Sequence, residues 1–118
     1  MSRIVNTPAP PYYAVIFTSE RTDGDHHYAE MAEEMAQLAA AQPGFLGMES
    51  AREGLGITVS YWDSPEAIRQ WKKNERHLVA QSKGIGEWYL TYKTRVCKVE
   101  RDYGFEKETP PGLVTGAD

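Results

Sequence analysis

The run from Ile57 to Trp71 constrains this chain most, because it fixes a strand, a turn and a helix start within a few residues. Ile57, Thr58, Val59, Tyr61 and Trp62 are the β-branched and aromatic residues of a strand. Ser64 follows as a natural helix cap, since its hydroxyl accepts from backbone N–H groups that have no partner inside the helix. Pro65 sits at the first helical position, where its missing N–H costs nothing, and Glu66 complements the helix dipole. The unit therefore predicts a strand-to-helix corner with an indole near each end.

The remaining elements arrange themselves around that corner. Tyr12 to Thr18 reads as a first strand, with Tyr13, Val15 and Phe17 on one face and Tyr12, Ala14 and Ile16 on the other. Arg21 to Asp25 is a turn in which Asp23 or Asp25 is the expected cap of a helix. Along that helix Tyr28, Met31, Ala32, Met35, Leu38 and Ala39 recur at helical spacing, and Pro43-Gly44 stops it. Phe45 to Arg52 is a second strand in which Gly47 marks a bulge or a close approach, and Glu53 to Gly56 is a hairpin turn into the strand at Ile57. The helix from Pro65 buries Ala67, Ile68 and Trp71. Its apolar face is interrupted at Lys72-Lys73-Asn74, where a break is expected, and a second piece carries Leu78, Ser82, Ile85 and Tyr89. A last strand runs from about Tyr92 to Glu100, and Arg101 to Phe105 continue it.

The order β-α-β-β-α-β predicts an α+β, ferredoxin-like domain: a four-stranded antiparallel sheet with helices on one face. The other sheet face would then be bare, yet the first strand is apolar on both sides. Soluble proteins rarely expose so large a patch, so a two-fold homodimer with sheet faces packed together is expected. The expected organisation is a loose arm over residues 1–11, a domain over 12–105 and a polar tail over 106–118.

Composition narrows the function classes. With 118 residues the chain makes one domain, and its 41% hydrophobic and 25% charged residues are those of a globular protein. The net charge of −4 is spread without a basic stripe, which argues against nucleic acid. No apolar run is long enough to span a bilayer, and Met1 to Asn6 carries no signal-peptide-like stretch, so a cytoplasmic location is expected. The one cysteine, Cys97, permits no intrachain disulfide and falls in the last strand as a small hydrophobe. His26-His27 are adjacent and point about 100° apart on a helix, so they do not clasp one metal ion, and no metal is expected. Neither a phosphate-binding glycine loop nor a hydrolase or kinase motif is present.

The stretches Pro43 to Ala51, Gly56 to Trp62 and Ala67 to Lys72, with Trp88-Tyr89 and Val99 to Phe105, resemble the antibiotic biosynthesis monooxygenase domain. The resemblance spans residues 12 to 105 and implies a dimeric α+β barrel. It also implies an O₂-dependent monooxygenase that needs no metal or flavin and acts on a phenol, hydroquinone or anthrone-like aromatic. A non-catalytic dimeric domain that binds a small hydrophobic molecule is the alternative. Haem-degrading relatives, which would make haem the cofactor, pair a first-strand Asn with a second-helix Trp and a later His. Trp71 matches that Trp, but Gln81 stands where the His would be, and Phe17-Thr18 hold the Asn position.

The pocket of such a domain lies between sheet and helices. Trp71, Phe17, Phe45 and one of Tyr61 or Trp62 are the residues expected to line it and bind substrate, with plain core packing as the competing role. His77 is the expected catalytic base, since imidazole titrates near neutrality. In an unbroken helix it stands about 120° round from Trp71, and a break at Asn74 would re-aim it toward the pocket mouth.

Overall fold

The computed structural model describes residues 3–82 and 85–107, with side chains 78–82 left out. The elements run β1 (Tyr12–Arg21), α1 (Tyr28–Ala40), β2 (Phe45–Glu53), β3 (Leu55–Trp62), α2 (Pro65–Ser82), α3 (Ile85–Trp88) and β4 (Tyr89–Val99). The sheet order is β2-β3-β1-β4, and every neighbouring pair is antiparallel. This is the expected ferredoxin-like α+β arrangement.

The register sorts side chains by face. Val15 on β1 lies opposite Ser60 on β3 and Val96 on β4, and Ser60 lies opposite Met48 on β2. These four form one rung under the helices. Phe17, Thr58, Ser50 and Thr94 form the next, and Ser19, Gly56, Arg52 and Tyr92 the one after. Tyr12, Ala14, Ile16, Val59, Tyr61 and Cys97 alternate to the outer face.

Trp62 anchors the helix-bearing face. It has no solvent exposure, stacks on Trp71 of α2 at 6.1 Å and 23°, and receives the edge of Phe45 at 5.3 Å. Its Nε1–H donates to Ser60 Oγ at 2.9 Å, so the indole is buried without leaving a polar atom unpaired. Ala39 and Ile68 complete the buried cluster. The corner that precedes α2 forms as the sequence predicts: Ser64 Oγ accepts from the Ala67 N–H at 3.1 Å. Asp63 N–H donates to Gly44 O at 2.8 Å, tying the end of β3 to the start of β2. Gly44 has φ +85°, and a Cβ there would collide with Asp63 and Ala67, so the Pro43-Gly44 stop serves both conformation and space.

Four expectations need correction. Neither Asp23 nor Asp25 caps α1 with its side chain. The cap position is His27, which like His26 is left-handed, and the Asp25 carbonyl accepts from Tyr28 N–H instead. α2 does not break at Asn74, because its amide donates to Gln42 Oε1 at 3.0 Å and so joins α2 to the loop after α1. β4 begins at Tyr89 rather than Tyr92, because β1 extends through the polar Ser19-Glu20-Arg21 and offers Tyr89 a partner. Residues 100–107 carry no strand, and Tyr103 and Phe105 are about nine-tenths exposed. Gly47, as expected, lies at a register shift where Val5 of the N-terminal arm approaches too closely for any side chain.

Replacing Trp62 with Ala removes both aromatic contacts and should cost about 3–5 kcal/mol, read as a fall in the urea midpoint. Ser64→Ala should cost about 1 kcal/mol through the lost cap, with the folded far-UV spectrum unchanged.

Candidate functional site

Beyond the Trp62–Trp71 stack the helices and sheet diverge around a cavity of about 570 Å³. That volume falls within the range of small-molecule sites. Its floor is the two sheet rungs that carry Val15, Met48, Ser60 and Val96, then Phe17, Ser50, Thr58 and Thr94. Its roof is Met31, Ala32 and Met35 of α1 with Ile68, Trp71, Lys72 and Glu75 of α2. Trp88 on α3 and Tyr89 and Tyr92 on β4 close one end, with Tyr28 at the start of α1.

That end is an aromatic nest. Phe17 meets Tyr89 edge-on at 5.5 Å and Tyr92 at 5.1 Å, and Tyr28 meets Tyr89 at 5.6 Å and Trp88 at 6.3 Å. Backbone strapping holds it in place. Thr22 N–H donates to Trp88 O at 3.0 Å, and the Trp88 indole donates to His26 O at 2.9 Å. Arg21 lies over the Tyr28 ring at 3.6 Å and spends its donors on the carbonyls of Trp88, Gly24 and Asp25. The left-handed pair His26-His27 thus closes a loop whose carbonyls anchor the nest.

The lining also carries polar groups. The Tyr89 hydroxyl donates to Tyr28 Oη at 3.2 Å; burial, then this bond, push the Tyr89 phenol well above its ordinary range and keep it neutral. Lys72 and Glu75 pair at 3.2 Å. Thr94 Oγ1 is buried with no hydrogen-bond partner among the described residues. Arg52 reaches across the floor from β2 and donates to Ser19 O at 3.3 Å and to Ser19 Oγ at 2.5 Å. Among the described residues no three His, Cys, Asp or Glu side chains converge to hold a metal ion. No helix among them is long and apolar enough to cross a membrane.

Of the residues singled out from the sequence, Trp71 and Phe17 line the cavity. Phe45 and Trp62 lie beside it in the packed cluster, outside the lining. Tyr61 is on the opposite sheet face, where its hydroxyl donates to Glu49 Oε1 at 2.6 Å. Burial, then this carboxylate, push its phenol up to about 12. His77 is exposed on α2 and is not on the lining, since the unbroken helix leaves it off the Trp71 side. The Gln81 side chain falls outside the described residues.

Tyr28, Trp88, Tyr89, Tyr92 and Arg52 are the lining residues that sequence reasoning passed over as site residues. Tyr89 and Tyr92 were findable: once β1 is extended to Arg21, alternation along β4 puts Tyr92 on the face of Phe17.

A family model described as antibiotic biosynthesis monooxygenase matches residues 11–83. The uncharacterised protein YqjZ of Bacillus subtilis is 52% identical over 111 residues, which cover 92% of this chain and 97% of that one. Among solved structures, the cofactor-independent oxygenase SnoaB of Streptomyces nogalater superposes with a TM-score of 0.60 at 13% identity, over 85% of this chain and 97% of that one. A dimeric ferredoxin-like protein from an uncultured marine organism superposes with a TM-score of 0.62 at 8% identity, over 82% and 95%. At such identities the two structures speak for the fold, whereas the family match and YqjZ speak for descent: this chain belongs to the antibiotic biosynthesis monooxygenase family.

Proposed function

We propose that the protein is a cofactor-independent monooxygenase that oxidises a small phenol, hydroquinone or anthrone-like aromatic with O₂. The observation that carries this reading is the aromatic-lined cavity between helices and sheet. Phe17, Tyr89, Tyr92 and Trp88 offer edges and faces to a planar ring, and Trp71 offers another from the roof. Kinship with a family of monooxygenases and the fold shared with SnoaB support the reaction class.

In this reading the substrate loses a proton, and the resulting carbanion-like enolate gives an electron to O₂. The new C–O bond forms a hydroperoxide, which loses water to leave a carbonyl. One oxygen atom ends in the quinone and the other in water, so substrate and O₂ balance with no other oxidant. The cavity contributes exclusion of water and donors for the developing oxyanion. The hydroxyls of Tyr28, which accepts from Tyr89, and of Thr94 are donors on hand. Proton removal has two candidates on α2. His77 is exposed, whereas Glu75 lies on the lining with Lys72 beside it.

The outer sheet face supports self-association. Ala14 is buried, but Ile57 is 41% and Leu55 51% exposed on that face. A homodimer packed through it is part of the proposal, in line with the dimeric neighbour. A cytoplasmic location is the other part, as the lone free thiol of Cys97 suits a reducing compartment.

Oxygen uptake with a panel of hydroquinones and anthrones should exceed the uncatalysed rate, and Trp71→Ala should abolish the excess. Saturable binding without uptake would favour the binding-domain alternative. Glu75→Gln should lower kcat by about 100-fold with KM retained, and His77→Ala should change it little; the reverse pattern returns the base to His77. Light scattering should give twice the chain mass of 13.3 kDa, and a monomer at micromolar concentration would refute the dimer.

A further inference from the structure

We propose that Arg52 is an anion-recognition residue, and that the cavity's ligand is an aromatic that carries a negatively charged oxygen at the Arg52 end. This rests on the reading of the cavity as an aromatic-ligand site.

Three observations lead there. The first is how the guanidinium is placed. Arg52 belongs to β2, yet it bonds Ser19 on β1, which lies two strands away across β3. The residue it crosses is Gly56, its register partner on β3. A Cβ at Gly56 would collide with the guanidinium, so the glycine leaves a side-chain-free saddle in which the cation lies flat. Ser19, only 1% exposed, takes two of its N–H groups and fixes its position. A surface arginine that served only solubility would need neither feature.

The second observation is that this charge is uncompensated. Among the described residues no carboxylate lies within ion-pair distance of Arg52. The other cation on the lining, Lys72, is paired with Glu75 at 3.2 Å. Arg21 is spent on three carbonyls and the Tyr28 ring. Arg52 is therefore the lining cation without a counter-charge, and a guanidinium carries five N–H donors in a fork that suits a carboxylate or phenolate.

The third is its neighbourhood. Arg52 shares a rung with Tyr92, and its charge is felt at Tyr89. A ring seated against Phe17, Tyr89 and Tyr92 would thus present a substituent to the guanidinium. Arg52 is itself exposed, which marks it as the open end of the cavity and makes its attraction screened by salt.

Calorimetric titration with naphthoate and with the neutral naphthalenemethanol tests this. The wild-type protein should bind naphthoate about tenfold or more tighter at low salt, with the gap narrowing at high salt. Arg52→Gln should erase the preference while naphthalenemethanol binding stays within about twofold. Gly56→Ala keeps the charge but displaces it, and should erase the preference as well. Naphthol distinguishes the two oxygen types: if a phenolate is read, its affinity rises as pH passes its own ionisation. Equal wild-type affinity for naphthoate and naphthalenemethanol, or a preference that survives Arg52→Gln in a variant with wild-type melting behaviour, overturns the inference alone. Failure of both aromatics to bind overturns the aromatic-site reading together with it.

Discussion

The stack of Trp62 on Trp71 is the contact on which the rest depends, because it joins the end of β3 to the second turn of α2. Only Asp63 and Ser64 separate the strand from the helix, so the corner has little freedom once the indoles meet. Phe45 wedges against the same indole from β2, and Ala39, with no exposed surface, lets α1 come close. Aromatic pairs of this kind add about 0.5–1.5 kcal/mol beyond the area they bury. The geometric effect is larger than that energy suggests. Fixing the helices at one end of the sheet sets the gap that opens at the other.

The gap opens over β3, whose helix-facing residues shrink along the strand. Near the stack the floor carries Tyr13, Phe45 and Trp62, which fill the space up to the helices. Further along it carries Ser60, Thr58 and Ser50, with Gly56 on the next rung, while the roof includes Ala32 and Ala36. Small residues on both layers cannot meet across the usual sheet-to-helix separation. The same taper gives the floor its polarity, since small strand residues here are mostly hydroxyl-bearing. A cavity with hydroxyls on its floor thus follows from the grading of side-chain size along β3.

The scaffold was more legible in the sequence than the site. Ser64, Pro65 and Gly44 act locally, through a cap, a fixed φ and a positive φ, so a few adjacent residues reveal them. Alternation placed Phe17 with Val15, and helical spacing placed Trp71 on the sheet side of α2. What escaped depended on partners distant in sequence. Asn74 looked like a helix break until Gln42 supplied its hydrogen bond. Tyr89 looked helical until Arg21 supplied its strand partner. Tyr61 and Trp62 are adjacent aromatics, and only the register decides that Trp62 faces the helices while Tyr61 meets Glu49 on the far side. His77 drew attention for its chemistry alone, and the continuity of α2 decides its direction.

The two sheet faces handle tyrosine hydroxyls in opposite ways, and the contrast bears on where chemistry belongs. On the outer face the Tyr61 and Tyr12 hydroxyls each donate to a carboxylate, Glu49 and Asp102. The Asp102 bond raises the Tyr12 phenol pKa, burial and then the Glu49 bond raise that of Tyr61, and both protons are used up. Glu49 also accepts the Val5 N–H at 2.8 Å, and Asp102 accepts from Thr7, so both carboxylates hold the N-terminal arm. These phenols are structural pegs. In the cavity Tyr89 donates to Tyr28, a neutral partner, and a chain of two hydroxyls retains one proton to give. That remaining donor stands in a wall otherwise made of Phe17, Trp88 and Tyr92. The sheet therefore keeps its charged acceptors on the face away from the cavity, and leaves the inner face able to donate to whatever oxygen a bound ring presents.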